Sequence, residues 1–163
     1  MARRKYLVLL SMLGFFISLD QLTKTLIVSA YRLGQSSSVL NNYFNLTLVH
    51  NPGAAFGFLA TLAPQYREPF FLAVPIITLM IILYIFYKLN DSQTLNIYSL
   101  SMIMSGAVGN LIDRLRLGYV IDFLDFHWQY KEHFPAFNVA DSAITVGVAL
   151  LLWAMITEPD PQA

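Results

Sequence analysis

An uncharged apolar run, Phe70 to Tyr87, constrains this chain more than any other feature. About 20 helical residues cross the hydrocarbon core of a bilayer, so a run of this kind reads as a transmembrane helix. Three further stretches follow the same pattern. Tyr6 to Leu19 is uncharged and the apolar pattern resumes past Asp20 and Lys24 to Val28; Leu95 to Ile112 carries no charge; Ala143 to Ile156 carries none, and Val139 to Ser142 extends it. Composition agrees: hydrophobic residues make up 56% and charged residues 12%, where a soluble domain carries roughly 25% charged residues. Mean hydropathy is +0.56. Ten basic residues balance ten acidic ones, leaving no net field to attract nucleic acid or anionic lipid. The absence of cysteine excludes disulfides, thiolate metal sites, CxxC redox chemistry and a cysteine nucleophile. The expected fold is an all-α integral membrane protein forming one membrane domain over residues 1–163, with helices at about 6–28, 69–88, 95–114 and 139–157. Pro75 should kink or loosen the second helix, which membrane helices tolerate.

Arg3, Arg4 and Lys5 ahead of an apolar run look like a signal peptide, but no small-residue cleavage site follows and Asp20-Gln21 interrupts the place for one. The segment therefore reads as a retained helix. Four helices put both termini on one side. Raw counts of basic residues do not decide which side that is; their density and the first helix favour the cytoplasm. The two segments on the other side, about 29–68 and 115–138, are much longer than the loop near Lys88 to Thr94. Within the first, Tyr43 to Leu48 alternates with period two, as a half-buried strand does. Asn51-Pro52-Gly53 breaks it, and Gly53 to Leu59 is expected to pair back. A small extracytoplasmic β-sheet lying on the membrane surface follows. The second segment mixes aromatics with charges. Trp128 and Tyr130 suit an interface, Asp125 reads as a solvated loop charge, and His50, His127 and His133 read as ordinary loop residues.

Ionisable groups within membrane segments are costly, and each is a functional hypothesis. With this topology they converge. Asp20, Thr23 and Lys24 lie in the outer third of helix one; Asn110, Asp113 and Arg114 at the outer end of helix three; Asn138 and Asp141 at the outer start of helix four. Asp20 and Lys24 are i,i+4, an acid-before-base order that favours an intrahelical ion pair. Asp113 and Arg114 read as a charge pair anchoring a helix end. Asp141 is placed to cap its helix. Asp122 sits in Val120-Ile121-Asp122-Phe123, a carboxylate flanked by apolar side chains.

The histidines show no zinc-ligand spacing, which argues against a metallohydrolase. A Ser–Lys dyad from Ser142 and Lys24 is weakened by Asp20, which keeps the ammonium charged. Two carboxylates in a low-dielectric site make a simpler machine. Both cannot ionise easily, so one holds a proton while the other activates water, and the apparent pKa values belong to the pair.

Five runs, in order, resemble the lipoprotein signal peptidase (signal peptidase II) family: Asp20-Gln21-Leu22-Thr23-Lys24, Asn51-Pro52-Gly53-Ala54-Ala55-Phe56, Gly106 to Arg114, Val120-Ile121-Asp122-Phe123 and Phe137-Asn138-Val139-Ala140-Asp141-Ser142. The resemblance implies an aspartyl endopeptidase of the bacterial cytoplasmic (inner) membrane, with its site near the outer face. Its substrate would be a prolipoprotein whose cysteine already carries diacylglycerol, cut just before that cysteine. Asp122 and Asp141 would be catalytic. Asp20, Lys24, Asn51, Gly53, Asn110, Asp113, Arg114 and Asn138 would support the site or touch substrate. Membrane lipid and globomycin-type cyclic peptide inhibitors would be partners, the protein would act as a monomer, and no cofactor or metal would be needed. The family's tail is often basic, whereas this one carries Glu158 and Asp160. A small proton-coupled transporter is the alternative; it predicts polar groups near the midplane and often internal repeats. A non-catalytic scaffold would need no convergent acids.

Overall fold

The computed structural model of the chain describes residues 4–53, 63–129 and 131–157. Four helices, α1 (Arg4–Ala30), α2 (Pro64–Lys88), α3 (Thr94–Leu117) and α4 (Val139–Thr157), alternate in direction, and each is long and apolar enough to cross a membrane. Their outward faces are apolar. Leu10, Leu22, Ile77, Met80, Leu152 and Ile156 are all exposed, the arrangement expected where lipid rather than water is the solvent. Helix α3 is the central one: 56% of its most apolar window is buried, against 11% for α1, and it packs against the other three. Gly106 and Gly147 let α3 and α4 approach. A methyl at Gly106 would collide with the Ala140 carbonyl oxygen, and one at Gly147 would lie 2.8 Å from the Ser99 oxygen. Buried Ser99, Ser101 and Ser105 return their hydroxyls to the carbonyls of Leu95, Ile97 and Ser101, so these three hydroxyls are satisfied within the helix.

Local chemistry sets the helix ends. Helix α2 starts at Pro64, ahead of the expected 69, because proline suits a first turn; it then runs through both Pro69 and Pro75. Helix α3 stops at Gly118, whose left-handed backbone (φ 78°) lets its N–H reach the Arg114 carbonyl at 3.0 Å, as a helix C-terminus requires.

The connecting segments build the small sheet expected beside the four helices, and both long segments contribute strands to it. Four antiparallel strands, β1 (Ser36–Leu40), β2 (Phe44–Asn51), β3 (Val120–Trp128) and β4 (Glu132–His133), lie in that order. Strand β2 forms where the alternation at Tyr43 to Leu48 predicts one, but its burial does not alternate: Asn45 and Leu48 are buried and the two residues between them half-buried, beside a register shift between Leu46 and Val49. Strand β3 is a correction: its first four residues are all buried, so it lacks the period-two signal of a half-buried strand. The expected return strand at Gly53 to Leu59 falls on residues 54–62, outside those described, as do Tyr130, Glu158 and Asp160.

Two apolar clusters bracket the molecule's polar centre. Leu9, Phe86, Ile97, Leu100, Ile103 and Met104 close one end of the bundle. Ile27, Leu48, Ile121 and Phe123 join α1 to the sheet at the other. Asp20 and Lys24 lie between Leu9 and Ile27 along α1, so the polar groups occupy a band walled by apolar packing.

Candidate active site

Asp122 is placed by β3 and Asp141 by the first turn of α4; both line one cavity of about 720 Å³ with Asn51, Asn110 and Arg114. Every oxygen of the two carboxylates accepts a hydrogen bond. Asn51 donates its Nδ2 to Asp122 Oδ2 at 2.9 Å, and Asn138 donates its Nδ2 to Asp122 Oδ1 at 2.7 Å. Asn110 Nδ2 donates to Asp141 Oδ1 at 2.7 Å, and the Asn138 backbone N–H donates to Asp141 Oδ2 at 3.2 Å. Asn138 therefore touches both acids. Its Oδ1 also accepts the Asp141 N–H at 2.9 Å. Asn138 is thus the cap of α4 and Asp141 its reciprocal partner three residues on, a capping box. The expected cap at Asp141 is corrected accordingly: Asn138 caps the helix, and the exchange pins both residues at the cavity wall.

Asp122 is 1% exposed. Burial, and next the charge of Asp141, push its pKa up from 3.8 to about 7, against the opposing pull of Asn51, Asn138 and Lys24. Desolvation dominates because an ionised carboxylate loses more hydration than two amide bonds restore.

Behind the cavity wall lies a second polar layer. Lys24 Nζ meets Asp20 Oδ2 at 2.8 Å, Asp113 Oδ2 at 2.8 Å and Asn110 Oδ1 at 3.1 Å. An ammonium has three donors and no lone pair, so Lys24 is saturated and cannot act as a base. Ser142 in turn donates to the Asn138 carbonyl at 2.9 Å. Neither half of a Ser–Lys dyad is available. Arg114 donates Nη2 to the Gly53 carbonyl at 3.2 Å and lies 5.3 Å from the Phe71 ring centroid. Gly53 is held by its own N–H to Asn51 Oδ1 at 3.0 Å. Among the described residues no group of three or more His, Cys, Asp or Glu side chains could hold a metal.

A sequence profile described as Signal peptidase (SPase) II matches residues 12–157. The chain belongs to the signal peptidase II family. A lipoprotein signal peptidase of Geobacter sulfurreducens is 54% identical over 140 residues, 86% of either chain. Another, of Geobacter metallireducens, is 52% identical over 145 residues, covering 89% of this chain and 88% of that one. A solved structure described as a bacterial membrane enzyme at 1.9 Å resolution matches with a TM-score of 0.79 and 31% identity over 93% of this chain and 94% of its own. A second, at 2.3 Å, matches with a TM-score of 0.80 and 34% identity over 92% and 88%. As a signal peptidase II, the chain is a peptidase and a multi-pass bacterial membrane protein.

All ten candidate residues of this signal peptidase II lie in one connected region, but in two layers. Asp122, Asp141, Asn51, Asn110 and Arg114 face the cavity; Asp20, Lys24 and Asp113 do not, and Asn138 joins the layers. Asn51 supports the site by donating to Asp122. Asp125 is not a solvated loop charge: it is 9% exposed and accepts from Thr47 and pairs with His133 Nδ1 at 2.9 Å. The histidines are not loop residues. All three lie on strands, His50 stacking on Tyr119 at 4.0 Å and the His127 ring tilted against that of His133 at 5.0 Å. Gln21 carries little signal in the sequence apart from its place in a motif. Its side chain donates to Asp113 Oδ1 at 2.9 Å, and its adjacency to Asp20 was the one available signal.

Proposed function

We propose that this chain removes the signal peptide from diacylglyceryl-modified prolipoproteins, cutting just before the lipidated cysteine, with Asp122 and Asp141 activating water. The observation that carries the reading is that two carboxylates, bridged by one asparagine, line a single cavity. Asp122, its pKa near 7, holds the shared proton in the resting site. Asp141, ionised, takes a proton from water as the water oxygen bonds to the scissile carbonyl carbon. Asp122 gives its proton to the carbonyl oxygen. In the resulting gem-diol, Asp141 returns a proton to the departing amine of the cysteine and Asp122 recovers its own from a hydroxyl. The carbon–nitrogen bond breaks and the site is restored. General acid–base transfer of this kind supplies roughly 10²–10⁴-fold.

The wider reading follows from chemistry. The lipid and the signal helix both sit in the bilayer, so the scissile bond lies at its surface. The site sits where the sheet meets the helix ends. We take both termini as cytoplasmic; the site and sheet then lie at the outer face. The apolar cavity wall, Ile144 and Val146 among it, suits acyl chains. The protein acts as a monomer, and globomycin-type cyclic peptides block the same cavity. The test is a gel-shift assay in detergent, offering prolipoprotein with and without its diacylglyceryl group to wild type and to Asp122→Asn. Cleavage of the lipidated form alone, lost in the variant, supports the reading. Cleavage of both forms removes the lipid requirement, and folded wild type that cleaves neither overturns the reading.

A further inference from the structure

We propose that Lys24 and Gln21 form a brace that sets the positions of the two reactive aspartates through matched backbone contacts, making both of them positioning residues and not substrate contacts; this rests on the aspartyl peptidase reading above. Two arms leave the Lys24 ammonium. Along the first, Asp20 Oδ2 pairs with Nζ at 2.8 Å, and Asp20 Oδ1 accepts the backbone N–H of Ala140 at 2.9 Å. Ala140 directly precedes Asp141. Along the second, Asp113 Oδ2 pairs with Nζ at 2.8 Å and accepts the backbone N–H of Ile121 at 3.1 Å. Ile121 directly precedes Asp122. Each aspartate of the cavity is thus held, one residue upstream, by a carboxylate that answers to the same cation. Asn110 adds a third connection, taking Lys24 at its Oδ1 and holding Asp141 with its Nδ2.

Gln21 cross-links the arms. Its Nε2 lies 3.2 Å from Asp20 Oδ2, 2.9 Å from Asp113 Oδ1 and 3.3 Å from the Gly109 carbonyl. Gly109 leaves the space: a Cβ there would stand 2.8 Å from Asp20 Oδ2. Asp20, Lys24 and Asp113 are 1%, 2% and 2% exposed, and none lines the cavity. A buried ion-pair network is a weak source of net stability compared with apolar packing, and a better source of unique geometry. Geometry is what a carboxylate pair needs. Their mutual repulsion varies inversely with separation, so the way they share a proton depends on how far apart the brace holds Ile121 and Ala140.

The test uses the full chain in detergent with diacylglyceryl prolipoprotein. Gln21→Leu removes the cross-link and leaves both ion pairs; Gln21→Met, longer and unbranched, serves if leucine does not fold. The expected result is kcat lowered about tenfold to a hundredfold, as small misplacements at a reacting centre produce, with KM within roughly twofold. The pH profile of kcat should also narrow, because weaker coupling draws the two apparent pKa values together. A folded variant with wild-type kcat and profile overturns the brace. So does a loss of kcat that follows a lower thermal midpoint with the profile unchanged, since that is structural support alone. Asp122→Asn and wild type run alongside. Inactive wild type would sink the peptidase reading itself. Active wild type with inactive Asp122→Asn and normal Gln21→Leu would sink only the brace.

Discussion

Helix α1 carries two buried lysines, and their surroundings differ in kind. Lys24 meets two carboxylates and an asparagine oxygen. Lys5, 0% exposed, finds its hydrogen bonds in backbone: its ammonium donates to the carbonyls of Phe86, Tyr87 and Leu89 at 3.2, 2.8 and 2.7 Å. Both ammoniums use all three donors. At Lys5 the acceptors are carbonyls of the last turn of α2 and of its cap residue Leu89, where the helix dipole favours a cation; the Phe86 carbonyl also accepts the Leu89 N–H at 3.2 Å. The Phe86 and Tyr87 rings add cation–π contact at 5.8 Å. Lys5 fastens two helices by serving an end every helix has. Lys24 joins side chains whose other contacts reach the residues just before Asp122 and Asp141. Saturating a buried charge with backbone makes a fastener. Saturating it with carboxylates whose other contacts reach the cavity makes part of a machine.

The largest effect should come from the acids that the Lys24 network serves. Asp122→Asn and Asp141→Asn are each expected to lower turnover by about a thousandfold or more while the protein still inserts and folds, read by gel shift and size-exclusion elution. Near-normal turnover by either variant would end the claim that this end of the molecule does the chemistry. The lysines themselves come next. Lys24→Met leaves Asp20 and Asp113 buried without their cation, a loss expected to cost roughly 3–5 kcal/mol. Lys5→Met leaves carbonyls short of donors, costing about 1–3 kcal/mol, with turnover within about twofold of wild type. Thermal midpoints and cleavage rates on both variants check this, and a Lys5→Met protein less active than Lys24→Met would reverse the comparison.

A subtler test uses pH. Asp122 has its pKa raised from 3.8 to about 7 by burial and by Asp141, so the folded state binds its proton more tightly than the unfolded chain. That contribution to stability is fully present below about pH 4 and is lost as the pH rises to about 7. The wild-type thermal midpoint should therefore fall across this window. Asp122→Asn should flatten the slope, and Lys5→Met should retain it. Turnover should likewise fall above about pH 7 as the acid loses its proton. A wild-type midpoint that rises through the window would contradict the burial argument. The smallest expected effect is none: a chelator should leave cleavage unchanged, because the described residues include no metal-ligand cluster. Loss restored by zinc would overturn that expectation.

How far the sequence could be read depended on the distance over which each signal acts. Apolar runs mark four helices because a bilayer-crossing helix must satisfy its backbone within itself, a local demand written in local residues. The Asp20–Lys24 pair is legible for the same reason, one turn apart on one helix. Strand β3 was not legible: burial on both faces erases alternation. Nor were the Asp125–His133 contact or the buried state of Lys5, which in the chain looks like an ordinary flanking base. Its acceptors stand more than 80 residues away.

By itself, then, the sequence determined the membrane-spanning plan, the convergence of the polar groups of α1, α3 and α4 and the family likeness, since all follow from composition, spacing and motif order. Only the tertiary structure decided which of those polar groups face the cavity and which stand behind it. It also decided that Asn138, not Asp141, caps α4, and that a single ammonium reaches both aspartates through the residues before them. Those facts depend on the packing of α1, α3, α4 and β3 within a few ångströms of one another. Directional hydrogen bonds in a low-dielectric interior select one arrangement there that the spacing of residues along a chain leaves open.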